Sequence, residues 1–201
     1  MRVITGTARG RKLKELQGRE TRPTTDKVKE SVFNIVQFDI EGRQVLDLFG
    51  GTGQMGIEAL SRVVSEYTPS GDQPQAIEAL SRGAAHATFV DLRKEAAALI
   101  RDNVALCGFT EQARVIQGDY LSFLTGCREK FDLILLDPPY ASGFLEKALE
   151  TAAGIDILSE NGIMVCESAA ETVLPPLSEP YRKGKDYRYG KIKLTVYRRD
   201  A

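Results

Sequence analysis

The chain has 201 residues, 42% of them hydrophobic and 27% charged, with a formal net charge of −1. These values describe one soluble globular domain and exclude disorder, collagen and coiled coil as overall descriptions. The longest run of Leu, Ile and Val, Leu133-Ile134-Leu135-Leu136, is far below the roughly 18 residues of a membrane span. Met1 to Gly10 carries no apolar signal-peptide core, so a cytoplasmic protein is expected. Cys107, Cys127 and Cys166 form no C-x-x-C, and His86 is the single histidine. A disulfide framework and a zinc site are therefore not expected, and no other metal is called for. Any His-based triad would have to use His86, which stands just before a strand-like run and reads as structural.

The small net charge hides an asymmetry. Residues 1–30 carry nine Lys/Arg and four Asp/Glu, and residues 181–201 carry eight Lys/Arg and two Asp. The middle of the chain is correspondingly acidic. Two basic ends around an acidic body suggest a surface that tracks phosphates. Arg9, Arg11, Lys12, Arg22, Lys183, Lys185 and Arg188 are the candidate phosphate contacts.

In chain order, residues 2–15 read as a short basic hairpin turning at Gly6–Gly10. Thr21-Arg22-Pro23-Thr24-Thr25 follows, and Val28, Val32, Phe33, Ile35 and Val36 then recur near helical spacing, with Thr25 as N-cap. Gln44–Phe49 is a buried strand that ends in Gly50-Gly51-Thr52-Gly53, and a helix begins near Gln54. Ala87–Asp91 is a second strand, and Arg93–Cys107 a helix stopped by Gly108. Strands follow at Ala113–Gln117 and Phe131–Leu136, a helix at Gly143–Ala153, a strand at Gly162–Glu167 and a terminal hairpin over Tyr181–Arg199. This alternation predicts a mostly parallel α/β sheet with helices on both faces. Residues 1–20 are expected as a basic hairpin extension and 21–201 as the main domain.

One stretch breaks the pattern. Ile57-Glu58-Ala59-Leu60-Ser61-Arg62 recurs letter for letter at Ile77–Arg82. Val63–Ala76 between the copies is rich in Ser, Pro, Gly and Gln, so residues 63–82 read as an insertion. The glycine turn must feed directly into a helix, so the first copy is expected to be the helix packed on the sheet.

Gly51-Thr52-Gly53-Gln54-Met55-Gly56 is a G-x-G-x-x-G turn between strand and helix, which brings backbone and a helix N-terminus close to a ligand. No Gly-Lys-Ser/Thr follows, which excludes a nucleotide P-loop. A dinucleotide fingerprint wants an acidic residue about 20 positions on, ending the second strand. Asp91 ends that strand 38 positions after Gly53, or 18 once the 20-residue repeat is subtracted. Asp91 is thus the ribose-hydroxyl acceptor. Two features favour S-adenosylmethionine over NAD. Asp47 inside strand one can hold the ammonium of a methionine moiety, a charge that NAD lacks. Strand four also runs into Asp137-Pro138-Pro139-Tyr140, which suits methylation of an exocyclic base amine. The Asp137 carboxylate and the Pro138 carbonyl can accept its two N–H bonds and turn its lone pair toward the methyl donor. Tyr140 offers a flat face for a flipped base. Gly118-Asp119-Tyr120 suits the cofactor's adenine, with Asp119 accepting from its amine.

With these motifs the sequence resembles the RsmD-type 16S ribosomal RNA guanine-N2-methyltransferases. The likeness runs through Arg2-Val3-Ile4-x-Gly6-x-x-Arg9-Gly10-Arg11-Lys12-Leu13, Thr21-Arg22-Pro23-Thr24, Lys29–Asn34, Asp47–Gly53, Ile57–Arg62, Phe89-Val90-Asp91, Gly118-Asp119, Asp137–Tyr140 and Tyr189-Gly190. The resemblance implies a Rossmann-like class I methyltransferase fold with a seven-stranded sheet. It also implies a small-subunit ribosomal substrate, assembled or partly assembled, and a monomeric enzyme. The cofactor set is then Arg22, Thr24, Asp47, Phe49, Gly51, Gly53, Asp91, Leu92, Gly118, Asp119 and Tyr120, with Asp137, Pro138 and Tyr140 catalytic. The family would run Ser61-Arg62 directly into Gly83. The extra segment is similar to the N-terminal stretch of the excision-repair helicase UvrB, but without a phosphate loop it implies no ATPase activity. Three other readings stay open: an adenine-N6 DNA methyltransferase, a NAD-dependent dehydrogenase, and a non-catalytic ribosome-assembly binder whose cofactor site the insertion has spoiled.

Overall fold

A computed structural model of the protein describes residues 1–15, 25–37, 39–61, 83–139 and 143–201. Arg22, Thr24, Tyr140 and the second copy of the repeat, all singled out above, lie outside the described residues.

Helix α1 spans Asp26–Ile35, and the Thr25 hydroxyl caps it by accepting from the Val28 N–H. Strand β1 (Gln44–Asp47) leads through the glycine turn into α2 (Gln54–Ser61). Then come β2 (His86–Asp91), α3 (Lys94–Cys107) and β3 (Ala113–Gln117). Gly108 ends α3 at φ 82°, the left-handed stop that glycine accepts without strain. Helix α4 (Tyr120–Gly126), strand β4 (Phe131–Leu136) and helix α5 (Phe144–Gly154) follow. β5 (Leu158–Ala169), β6 (Tyr181–Tyr189) and β7 (Ile192–Arg199) complete the order.

The sheet has seven strands in the order β3-β2-β1-β4-β5-β7-β6. β1 to β5 pair in parallel, and β7 runs antiparallel to both β5 and β6. All five parallel strands therefore end on one edge. The chain order reverses between β1 and β4, which makes that junction the topological switch point where ligands bind in open α/β sheets.

Side-chain alternation along the strands builds two cores. Val45, Leu133 and Leu135 pack with α1, α2 and α3 on one face. Leu46, Ile134 and Leu136 pack with α4 and α5 on the other. The three cysteines are free, with Cys107 and Cys166 buried and Cys127 half-buried. Among the described residues no helix is long and apolar enough to cross a membrane.

The expected N-terminal hairpin takes the form of one antiparallel bridge, Arg2 with Lys12. Hydrophobic burial and helix side chains hold this segment more than strand pairing does. Val3, Ala8 and Leu13 are buried in the α1–α3 core. Glu58 of α2 accepts from the Ile4 and Thr5 N–H groups at 2.9 and 2.8 Å. The Ser61 hydroxyl donates to the Thr5 carbonyl at 2.6 Å and accepts from the Ala8 N–H at 3.0 Å. Lys29 lies 3.5 Å from Glu58, both fully buried, and donates to the Arg2 carbonyl at 2.5 Å. A buried pair of this kind is retained where further hydrogen bonds satisfy both partners, as here. Removing either partner would strand the other charge.

The first repeat copy is the helix on the sheet. Every residue of α2 is buried. Gly56 decides how close α2 lies, because a Cβ there would stand 2.3 Å from Phe89 Cε1 and 2.7 Å from its Cζ. Only glycine permits that approach of helix to strand.

Candidate active site

The carboxyl ends of the parallel strands carry an acidic residue at four places. Asp47 is the last residue of β1, Asp91 the last of β2, Asp119 lies just after β3 and Asp137 just after β4. Strand register sets them side by side, with Asp47 opposite Phe89 of β2 and Leu135 of β4.

Asp47 is the deepest of the four, 3% exposed. Its Oδ2 accepts from the Gly56 N–H in the first turn of α2 at 3.0 Å. Burial pushes its carboxyl up to about 7; the Gly56 bond opposes this, and Asp137 and Asp91 raise it further. Burial is the main cause, so the ligand-free site favours the neutral Asp47 carboxyl, and a cation brought by a ligand would favour its ionised form. Asp91 shapes the glycine turn: its Oδ2 accepts from the Gly51 N–H at 2.9 Å, and its Oδ1 from the Arg93 N–H at 2.9 Å. Asp119 caps α4 through Oδ1, which accepts from the Ser122 N–H at 2.9 Å and its hydroxyl at 3.1 Å. Asp137 is half-buried and Pro138 buried. Among the described residues no cluster of His, Cys, Asp and Glu could hold a metal ion.

The glycines do separate jobs. Gly51 and Gly53 sit at φ 56° and 75°, which a larger residue would occupy only with strain. A Cβ on Gly51 would meet nothing nearer than 3.8 Å, so the turn faces open space there. Asn103 of α3, fully buried, donates to the Thr52 carbonyl at 2.9 Å and exchanges bonds with the Lys14 backbone. The glycine turn is thereby tied to the N-terminal segment.

An aromatic wall stands beside the carboxylates. The Phe49 and Tyr120 rings lie 5.0 Å apart, and Tyr120 and Phe144 5.6 Å apart, all tilted. Leu92, directly after Asp91, is 66% exposed, and Phe144 is 43% exposed. The sequence reading missed Phe144; its signal is an aromatic at a helix start, a few residues beyond Asp137-Pro138-Pro139-Tyr140. A cavity of about 660 Å³ is lined among the described residues by Met1, Arg2, Lys12, Leu13, Glu15, Thr25 and Asp26, and it borders the glycine turn through Met1, whose sulfur accepts from the Thr52 hydroxyl at 3.2 Å. None of the four carboxylates lines it.

The structure gathers Asp47, Phe49, Gly51, Gly53, Asp91, Leu92, Gly118, Asp119, Tyr120, Asp137 and Pro138 on one edge. It spreads the basic candidates. Arg9 and Arg11 are exposed on the turn that docks at Ser61, the far end of α2 from the glycine turn. Arg188 is exposed beside the β6–β7 turn, level with the end of β5. Lys185 is exposed, whereas Lys183 is half-buried and donates to the Leu174 carbonyl at 2.7 Å. His86 is exposed at the opposite, amino end of β2.

The family model described as Conserved hypothetical protein 95 matches residues 1–77 and 69–198. The chain belongs to that family. The two matched stretches of the Conserved hypothetical protein 95 family overlap at residues 69–77, where the second copy of the repeated six-residue sequence begins. Among similar proteins, YlbH of Bacillus subtilis is 34% identical over 99% of both chains. Ribosomal RNA small subunit methyltransferase D of Escherichia coli K12 is 29% identical over 100% of this chain and 91% of its own. The solved yhhF protein of Escherichia coli superposes with a TM-score of 0.80 at 28% identity, covering 100% of this chain and 98% of its own. An RNA methyltransferase of Salinibacter ruber, solved with S-adenosyl-L-homocysteine, shares the fold at TM-score 0.60 and 13% identity, over 89% of this chain and 94% of its own.

Proposed function

We propose that this protein is an S-adenosylmethionine-dependent methyltransferase that methylates the exocyclic N2 amine of a guanine in small-subunit (16S) ribosomal RNA. One observation carries the reading: the buried Asp47 carboxyl at the end of β1, with Asp91 and Asp137 at the ends of the neighbouring strands, at the switch point. A buried carboxyl beside two others at that place fits a ligand that brings a cation. S-adenosylmethionine fits, since it carries an ammonium and a sulfonium, whereas NAD offers no ammonium. When bound, it supplies an electrophilic methyl group.

The chain's own residues do the rest. Asp47 receives the ammonium. Asp91 Oδ2, which holds the Gly51 N–H, receives a ribose hydroxyl on its remaining lone pair, while Oδ1 is engaged by the Arg93 N–H and Nε. Asp119 Oδ1 is spent on its cap, so Oδ2 receives the adenine amine, with Gly118 beside it. Phe49, Leu92 and Tyr120 cover the adenine ring. Asp137 and the Pro138 carbonyl accept the two N–H bonds of the target amine and stabilise the positive charge that develops on it. Tyr140 supplies the face for the flipped base, and Arg22 and Thr24 complete the cofactor pocket. The exposed Arg9, Arg11, Lys12, Lys185 and Arg188 follow the RNA backbone, with Lys183 a weaker contact because its ammonium is engaged. Residues 1–20 act as the basic extension of a methyltransferase domain over 21–201. The substrate is an assembled or partly assembled small subunit, met by a monomeric enzyme in the cytoplasm.

The test is to incubate the protein and S-adenosylmethionine with unmodified small subunits and to map methylated nucleosides by mass spectrometry. The expected product is N2-methylguanosine. Asp137→Ala should lower the rate by at least about a hundredfold, the scale of losing one preorganised transition-state contact, with cofactor affinity little changed. N6-methyladenosine in DNA would make the adenine-N6 reading the correct one. Binding of subunits with no methylation would leave a ribosome-assembly binder.

A further inference from the structure

Among the described side chains, one buried polar atom has no hydrogen-bond partner: Gln54 Oε1. Gln54 is 7% exposed and opens α2 directly after Gly51-Thr52-Gly53. Glu58 and Ser61, four and seven positions on, lie on its face of the helix, and both spend their side chains on the N-terminal segment. Gln54 continues that row toward the glycine turn, yet no described residue meets its oxygen. Such an atom in a native structure calls for a partner. Gly56, two residues on, donates to Asp47, so the first turn of α2 carries two unmet demands at once. Among the described residues Asp47 forms no ion pair, and no donor meets Gln54 Oε1.

We propose that Gln54 is a specificity-determining contact to the amino-acid end of S-adenosylmethionine, its Oε1 accepting an N–H from the ammonium that Asp47 also faces. The assignment rests on the methyltransferase reading above. An ammonium has three N–H donors, enough for the Asp47 carboxylate and the Gln54 oxygen together. The ligand's carboxylate then lies at the N-terminal end of α2, where the helix favours negative charge. Gln54 thereby distinguishes ligands that keep the amino-acid group from those that have lost it.

Two probes separate the possibilities: S-adenosylhomocysteine, which keeps the amino-acid end, and 5′-methylthioadenosine, which keeps only the nucleoside and its thioether. Affinities are measured by calorimetry on the full chain, for wild type, Gln54→Met and Gln54→Ala. Both variants should bind S-adenosylhomocysteine tenfold or more weakly, the scale of a lost hydrogen bond to a charged group, and methylthioadenosine as wild type does. Ligand-free Gln54→Met should melt at or above the wild-type temperature, because it removes a buried acceptor that has no donor. Unchanged S-adenosylhomocysteine affinity, or equal weakening of both probes, would overturn the assignment. Wild type that binds neither probe would overturn the cofactor reading itself, and the role of Gln54 with it.

Discussion

Replacing Asp47 by Asn tests the electrostatics of the site without altering its shape. The wild-type carboxyl titrates near 7 in the folded chain and near 3.8 when free. The folded state therefore holds a proton that the unfolded chain gives up between those values. Stability of the ligand-free protein should fall as pH rises from about 4 to 7 and level off above 7. The full difference is about 4 kcal/mol, taking about 1.4 kcal/mol for each tenfold change. Asn cannot ionise, so the variant should lack this pH dependence. It weakens the bond from Gly56, at a cost of about 1 kcal/mol, which leaves a net gain of about 3 kcal/mol at pH 8 and little at pH 4. Ligand binding should run the other way. A bound ammonium favours the ionised carboxylate, so wild-type affinity for S-adenosylhomocysteine should rise about tenfold between pH 6 and 8, with a proton released on binding at pH 6. Urea denaturation across the pH range reads the first effect. Calorimetry in two buffers of different ionisation enthalpy reads the second. A wild-type stability that is flat from pH 5 to 8, together with binding that releases no proton, would show that Asp47 is already ionised and that its burial is compensated by something else.

Two further predictions concern the surface and the packing. Reversing Arg9, Arg11 and Lys12 together should lower the slope of log affinity for the RNA particle against log salt by roughly 2, with S-adenosylhomocysteine binding intact; an unchanged slope would take the N-terminal turn off the RNA path. Gly56→Ala places a methyl 2.3 Å from the Phe89 ring and should cost on the order of 1–3 kcal/mol or more in urea denaturation; a variant as stable as wild type would show that α2 can retreat from β2 freely.

The parts of the molecule with a strong local signal were legible in the amino-acid order. Strand–helix alternation gave β1 to β4, the Thr25 cap and the Gly108 stop, because each depends on periodicity or on one residue's backbone preference. Strand ends are local too, so Asp91 and Asp137 could be placed at strand ends before any coordinates, whereas Asp47, read as lying inside a strand over Gln44–Phe49, proves to be the last residue of β1. Helix α4 was missed because Tyr120–Gly126 is two turns long, too short for a 3.6-residue period to separate from loop. β5 begins at Leu158 rather than Gly162, since Asn161 at φ 59° and Gly162 interrupt the apolar run where β4 pairs across a shifted register. The links that hold the N-terminal segment, Lys29 with Glu58 and Asn103 with Lys14 and Thr52, join residues 29 to 89 positions apart. No local pattern announces such pairs. Lys183 read as a phosphate contact from charge alone, and only the fold reveals that the Leu174 carbonyl occupies it.

The internal duplication poses a choice that the fold resolves through two glycines. Both copies carry the same Ile, Glu, Ala, Leu and Ser, so either would present Glu58-like and Ser61-like side chains to the N-terminal segment. What precedes them differs. Twenty positions after Gly53 stands Gln73, and twenty after Gly56 stands Ala76. A glutamine at φ 75° would be strained, and an alanine methyl at the Gly56 position would enter the Phe89 ring. The second copy therefore cannot take the place of α2 at the same distance from β2. The first copy holds the sheet because its approach to the strand is glycine-lined. Six identical residues thus do not suffice to place a helix on the sheet, since the selectivity lies in the turn that delivers the helix to the sheet. That same turn carries Gly51, Gly53 and Gln54. The contacts that select the first copy are therefore the ones that shape the candidate cofactor site, and an exchange of copies would destroy both together.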